Sequence, residues 1–98
     1  MNNTKNSNQE MLKLLRAISE AAGRMAFKTE KLLRKQNLLP DEEKALEGTC
    51  KTAECYIEQL KLPLSVPVQK QDLPEVFAII SITTENAAQR LAKCINNN

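Results

Sequence analysis

The sequence predicts an all-α protein, an antiparallel helical hairpin plus a third helix that together make a three-helix bundle completed by self-association or by a partner. Three observations carry this reading. Apolar residues recur at alternating spacings of four and three along three separate segments, the periodicity of a helix face. Two glycines and four prolines in 98 residues are too few for the many turns of a β-sandwich. The apolar run EVFAIISITT (75–84) would make a buried strand on its own, but no other segment offers it a strand partner.

The polar start MNNTKNSNQ carries no apolar core of a signal peptide and no Arg-rich amphipathic pattern, so residues 1–8 are expected to be a disordered tail. A single helical domain over 9–98 follows. Its first helix, about 9–37, shows the stripe Met11, Leu15, Ile18, Ala22, Met25, Thr29 and Leu32 at heptad a/d spacing. Gly23 in its middle costs about 1 kcal/mol relative to Ala. With Ser19, Ala22 and Ala26 it forms a small-residue patch, which implies either a close neighbouring helix or a bend.

Leu38-Leu39-Pro40 followed by Asp41-Glu42-Glu43 marks a turn and a new start. Proline suits a first helical position, and acids in the first turn favour the positive end of the helix dipole. The second helix, about 41–61, repeats the stripe at Leu46, Cys50, Ala53, Ile57 and Leu60. The connector 62–72, with Pro63 and Pro67, either folds back along the second helix or crosses to another subunit. Asp72 and Glu75 have capping-box spacing ahead of a third helix over about 73–95, with Leu73, Val76, Phe77, Ile80, Thr84, Ala87, Leu91 and Ile95 on one face. Ile79 and Ile82 fall off that stripe, so the first half of the helix is apolar nearly all round. Three helices cannot cover every side of it, and the excess apolar surface points to an interface.

A domain of this length buries only about 60–65% of the surface of its unfolded chain. The net charge of +2 is too small to imply a nucleic-acid or membrane partner. Its distribution is uneven: residues 1–38 carry eight Lys/Arg against three acids (+5), and residues 39–62 carry three against six (−3). The longest apolar run, Val76–Ile80, is far short of a membrane span. Three cysteines fit a reducing, cytoplasmic setting. Cys50 and Cys94 lie on or near apolar stripes, where cysteine is usually inert, and Cys55 lies nearer a charged edge.

The chain has no histidine, which removes His-based acid–base catalysis, Ser-His and Cys-His nucleophile pairs and most zinc sites. It has no CxxC pair and no Gly-rich phosphate loop. Glu43/Glu47 and Glu54/Glu58 have the i,i+4 spacing of a cation site but read better as a solvated acidic face. No catalytic residue, metal or other cofactor is therefore expected, and the chain reads as a non-enzyme.

The one polar constellation is Arg24, Lys28, Lys31 and Lys35, spaced four, three and four, with Arg34 alongside. The bland expectation is that this strip pairs with Asp41, Glu42, Glu43 and Glu47 across the hairpin. The functional expectation is a protein–protein interaction module, an adaptor, inhibitor or immunity-type regulator, acting as a homodimer. Phe77, Ile79 and Ile82 would anchor its interface, and the strip would steer a protein partner with an acidic or apolar surface. The alternative is a small nucleic-acid-binding accessory protein that uses the same strip, for which only Phe27 supplies a nearby aromatic.

Overall fold

The structure is a computed structural model that describes residues 3–96, with side chains from Asn6 onward. Among the described residues it holds three α-helices and no strand: α1 (Asn3–Leu33), α2 (Pro40–Leu60) and α3 (Leu73–Asn96). The expected tail is helical from Asn3, and Met1 and Asn2 lie outside the described residues. Nothing in NTKNSN breaks a helix, and extending an existing helix costs little once a packed segment has nucleated it. The other end stops short of the expected Asn37. The Lys35 N–H bonds the Leu32 carbonyl three residues back, which tightens the last turn before the chain reverses.

Leu39, in extended conformation, precedes α2. The Glu42 carboxylate accepts the Leu39 N–H at 3.0 Å and also binds the Lys35 ammonium, so one acid ties the start of α2 to the end of α1. At the far end Lys61 adopts a left-handed conformation (φ 53°). Its N–H bonds the Glu58 carbonyl, and the Leu62 N–H bonds the Ile57 carbonyl at 2.9 Å. This is a Schellman motif built on lysine where glycine is usual.

The connector folds back along α2. The Val68 N–H donates to the Glu54 carboxylate at 2.7 Å, and the Lys70 ammonium lies 2.8 Å from Glu43 and 3.7 Å from Glu47, near the start of α2. A short 3-10 turn, Lys70–Asp72, runs straight into α3, and the Leu73 N–H bonds the Lys70 carbonyl. That turn stands where the Asp72/Glu75 capping box was expected. Thus α3 starts beside the α1–α2 turn and runs antiparallel to α1, giving a rod of 56 × 21 × 20 Å.

The closest helix pair is α1 and α3, not the pair adjacent in sequence. Small residues allow it. The Ser19 hydroxyl donates to the Ser81 carbonyl at 3.0 Å, and the Ser81 hydroxyl donates to the Ser19 carbonyl at 2.8 Å. A Cβ on Gly23 would stand 3.5 Å from the Ser81 Oγ, so a close neighbouring helix accounts for the small-residue patch. Larger side chains (Met25 and Leu32 of α1; Leu46 and Ile57 of α2) belong to the same core cluster.

Phe77, Leu46, Leu73 and Ile80 are fully buried at the centre of the core, with Ala22, Ala53 and Val76 around them. Thr29 and Thr84 are buried too, and each hydroxyl bonds a carbonyl one turn back on its own helix (Met25 at 2.7 Å, Ile80 at 2.8 Å). Burial thins toward one end of the rod. No described residue of α1 before Ser19, and none of α3 after Ala88, is buried. Met11 and Leu14, on the apolar stripe of α1, are about half exposed at the open end.

Candidate functional site

The seven residues expected at an interface separate into three groups. Phe77 is 0% exposed and packs in the core with Leu46, Leu73 and Ile80, which corrects its expected role as an interface anchor. It sits on the main stripe of α3 within the core cluster, so its burial is spent within one chain. Removing it would cost about 3–5 kcal/mol, a large share of a small domain's stability of about 5–15 kcal/mol.

Ile79 and Ile82 are 40% and 61% exposed. They point away from the core because they lie about 100° and 160° around the helix from Ile80. Ile79 lines a hollow of about 530 Å³ between the connector and α3, with Leu64, Val68 and Val76 as its other apolar walls and Asp72 and Glu75 among its polar ones. A second hollow of about 390 Å³ lies where the connector meets α2, bounded by Ile57, Leu62, Leu64 and Val66 with Glu54, Glu58 and Lys61. Leu64 belongs to both. Four carboxylates and one ammonium thus line an apolar furrow that follows the connector, and Val66 beside it is 59% exposed.

All four cations of the basic strip are exposed, Arg24, Lys28 and Lys31 on the outer face of α1 and Lys35 in the turn that follows it. The expected pairing across the hairpin holds for Lys35, which bonds Glu42, while Arg34 bonds Glu30 of its own helix. The Glu42 carboxyl is held below its ordinary range, first by the Lys35 hydrogen bond and then by the Leu39 N–H. Glu43 and Glu47 are taken instead by Lys70, whose pKa is raised chiefly by its hydrogen bond to Glu43. That leaves Arg24, Lys28 and Lys31 with no ion pair among the described residues.

Phe27 stands among these three cations and is 63% exposed, with the Lys31 ammonium 5.2 Å from the centre of its ring. Sequence reasoning placed Phe27 beside the strip without making it part of a site. The available signal was its offset: two residues past the stripe position Met25, it cannot share the core face. Its ring is the largest apolar group on the outer side of α1, and the cation above it is held by the electron-rich face.

The cysteines are all free. Burial pushes the Cys50 thiol above its ordinary pKa, and the nearby Glu54 carboxylate adds to the push. Cys94, expected on or near an apolar stripe, is exposed because it lies toward the end of α3 where core packing has stopped. No described helix is long and apolar enough to cross a membrane. In comparisons with known proteins the chain matches no protein family, no curated protein and no solved structure.

Proposed function

We propose that the chain is a non-enzymatic protein–protein interaction module, of the adaptor, inhibitor or immunity type, that works by presenting apolar helical surface. The observation that carries this reading is the exposure of Ile82 and of Ile79, which lines a furrow walled by Leu64, Val66 and Val68, in a domain too small to waste apolar surface. The free cations Arg24, Lys28 and Lys31 add orientation and speed of encounter rather than bulk affinity.

The test is a pull-down from native lysate at low and high salt, with and without nuclease, comparing wild type with the Ile79→Glu/Ile82→Glu variant. Both positions are exposed, so the variant should keep its helicity by circular dichroism. The reading holds if wild type retains a stoichiometric protein through nuclease and high salt and the folded variant loses it. Unfolding of the variant would place both side chains in the core and remove the reading's basis.

A second reading, a nucleic-acid-binding accessory protein, is favoured by one observation: Phe27 is exposed among three unpaired cations, the arrangement of a base-stacking platform on a basic groove. It expects retained nucleic acid whose binding collapses steeply with salt. An apolar protein interface survives the same salt.

A further inference from the structure

We infer that the partner of the connector furrow is a second copy of this chain, docking Phe27 and its flanking cations into the hollow between the connector and α3. The inference rests on the reading of the chain as an interaction module and names what one of its surfaces takes.

Both halves of the contact are present in one sequence. The hollow is about 530 Å³, within the range of sites that enclose a compact group, about 300–1,000 Å³. Its apolar walls are Leu64, Val68, Val76 and Ile79, and Asp72 and Glu75 supply its charge. The projecting group is an aromatic ring, 63% exposed, with the Lys31 ammonium 5.2 Å from its centre and Arg24 and Lys28 exposed on the same stretch of α1. An aromatic anchor with a cationic collar matches an apolar hollow with an acidic collar in polarity and in sign. The acids are not already spent on the collar of their own chain, since the cations that engage acids outside α1 are Lys35 and Lys70, and their targets are Glu42, Glu43 and Glu47.

The two patches share no residue and lie on different sides of the rod. The 3-10 turn beside the hollow packs on α2 and α3, whereas Phe27 is on the outer face of α1. Docking one copy on another therefore leaves one ring and one hollow unoccupied, and the assembly grows head to tail rather than closing as a symmetric pair. Each contact brings the cations near Phe27 toward Asp72 and Glu75, so growth is promoted by low salt.

Sedimentation velocity on the full chain over a range of concentrations tests this. Wild type should show a weight-average mass that rises with concentration above the monomer's 11.0 kDa, and the rise should weaken in high salt. Phe27→Glu, which removes the ring, and Ile79→Lys, which puts a cation in the hollow, should each weaken self-association at least about tenfold, as expected for a desolvated anchor. Mixed in equal amounts, the two variants pair the intact hollow of one with the intact ring of the other, and should form a complex of about 22 kDa, twice 11.0 kDa, that grows no further. The Lys28→Glu/Lys31→Glu variant provides a second disruption on an exposed surface where misfolding is not at issue, and adding Glu75→Lys to it should restore assembly.

A wild type that stays monomeric at every concentration overturns the inference, as does a mixture of the two variants that stays monomeric while wild type assembles. If wild type is monomeric but captures another protein in the Ile79-dependent manner described above, self-docking fails and the interaction reading stands. If neither occurs, both fail.

Discussion

Ser19 and Ser81 exchange hydrogen bonds with each other's backbone: each hydroxyl donates to the carbonyl of the other residue, at 3.0 and 2.8 Å, and the two oxygens lie 3.3 Å apart. Such an exchange needs the two helix backbones close together, so the pair acts as a gauge of the α1–α3 distance. Replacing either serine by alanine should cost about 1 kcal/mol, and the double replacement close to the sum, because each hydroxyl bonds a backbone carbonyl that replacing the other serine leaves in place. Ser81→Leu, which forces the helices apart, should cost about 1–3 kcal/mol. Urea unfolding of the four variants measures all three numbers.

Gly23 offers the opposite sign. The 3.5 Å between a Cβ there and the Ser81 Oγ is ordinary contact, so Gly23→Ala should fit without displacement. It recovers helix propensity worth up to about 1 kcal/mol and should raise Tm by about 4–8 °C. Gly48→Ala, where a Cβ meets nothing within 4 Å, provides the reference for pure propensity. A Gly23→Ala protein less stable than wild type would show that the helices need that last ångström.

Glu42 makes stability depend on acid. Its folded pKa lies below the ordinary 4.5, so its contribution is complete above that value and disappears as pH falls through the lowered one. Glu42→Gln keeps an acceptor for the Leu39 N–H but cannot be charged. Wild type should melt above the variant at neutral pH, and the gap should close as the pH is taken below 4.5. A gap that is constant with pH would assign the effect to something other than the Lys35–Glu42 pair.

The thiols should separate by rate. Cys55 and Cys94 are exposed, whereas Cys50 is buried with its pKa raised, so it offers less thiolate and less access. Mass spectrometry after brief treatment with iodoacetamide should find two adducts, and a third only in denaturant. A native protein labelled three times at one rate would show that α2 opens readily.

Helix faces were legible in the sequence where a face meets neighbours along its whole length. The α2 stripe is buried as read from Leu46 to Ile57, with Leu60 half-buried, and the α3 stripe from Leu73 to Thr84; beyond it Ala88 is buried in place of Ala87, and Leu91 and Ile95 are half-buried. The stripe of α1 is buried only in part: Ala22 and Thr29 are buried, but Met11 at the same register is 48% exposed. Periodicity says which side of a helix is apolar, but not where along the axis its neighbours end. The pairing of Lys70 with Glu43 was equally hidden, since those residues meet only because the connector doubles back. Phe77 was misplaced for a different reason. Its stripe position marked it as core, and its size alone suggested an anchor.

The open end has a consequence for how the molecule comes apart. Full burial stops at Ser19 in α1 and Ala88 in α3, so backbone amides beyond those points are covered by half-buried side chains at most, and less packing must open before they exchange. Their protection from exchange with deuterium should decay turn by turn toward Asn6 and Asn96, while amides around Leu46 and Phe77 exchange only through global unfolding. The rod then has a melting direction: it frays from the end that holds Asn6 and Asn96 and gives way last at the end where Glu42 and Lys35 join α1 to α2.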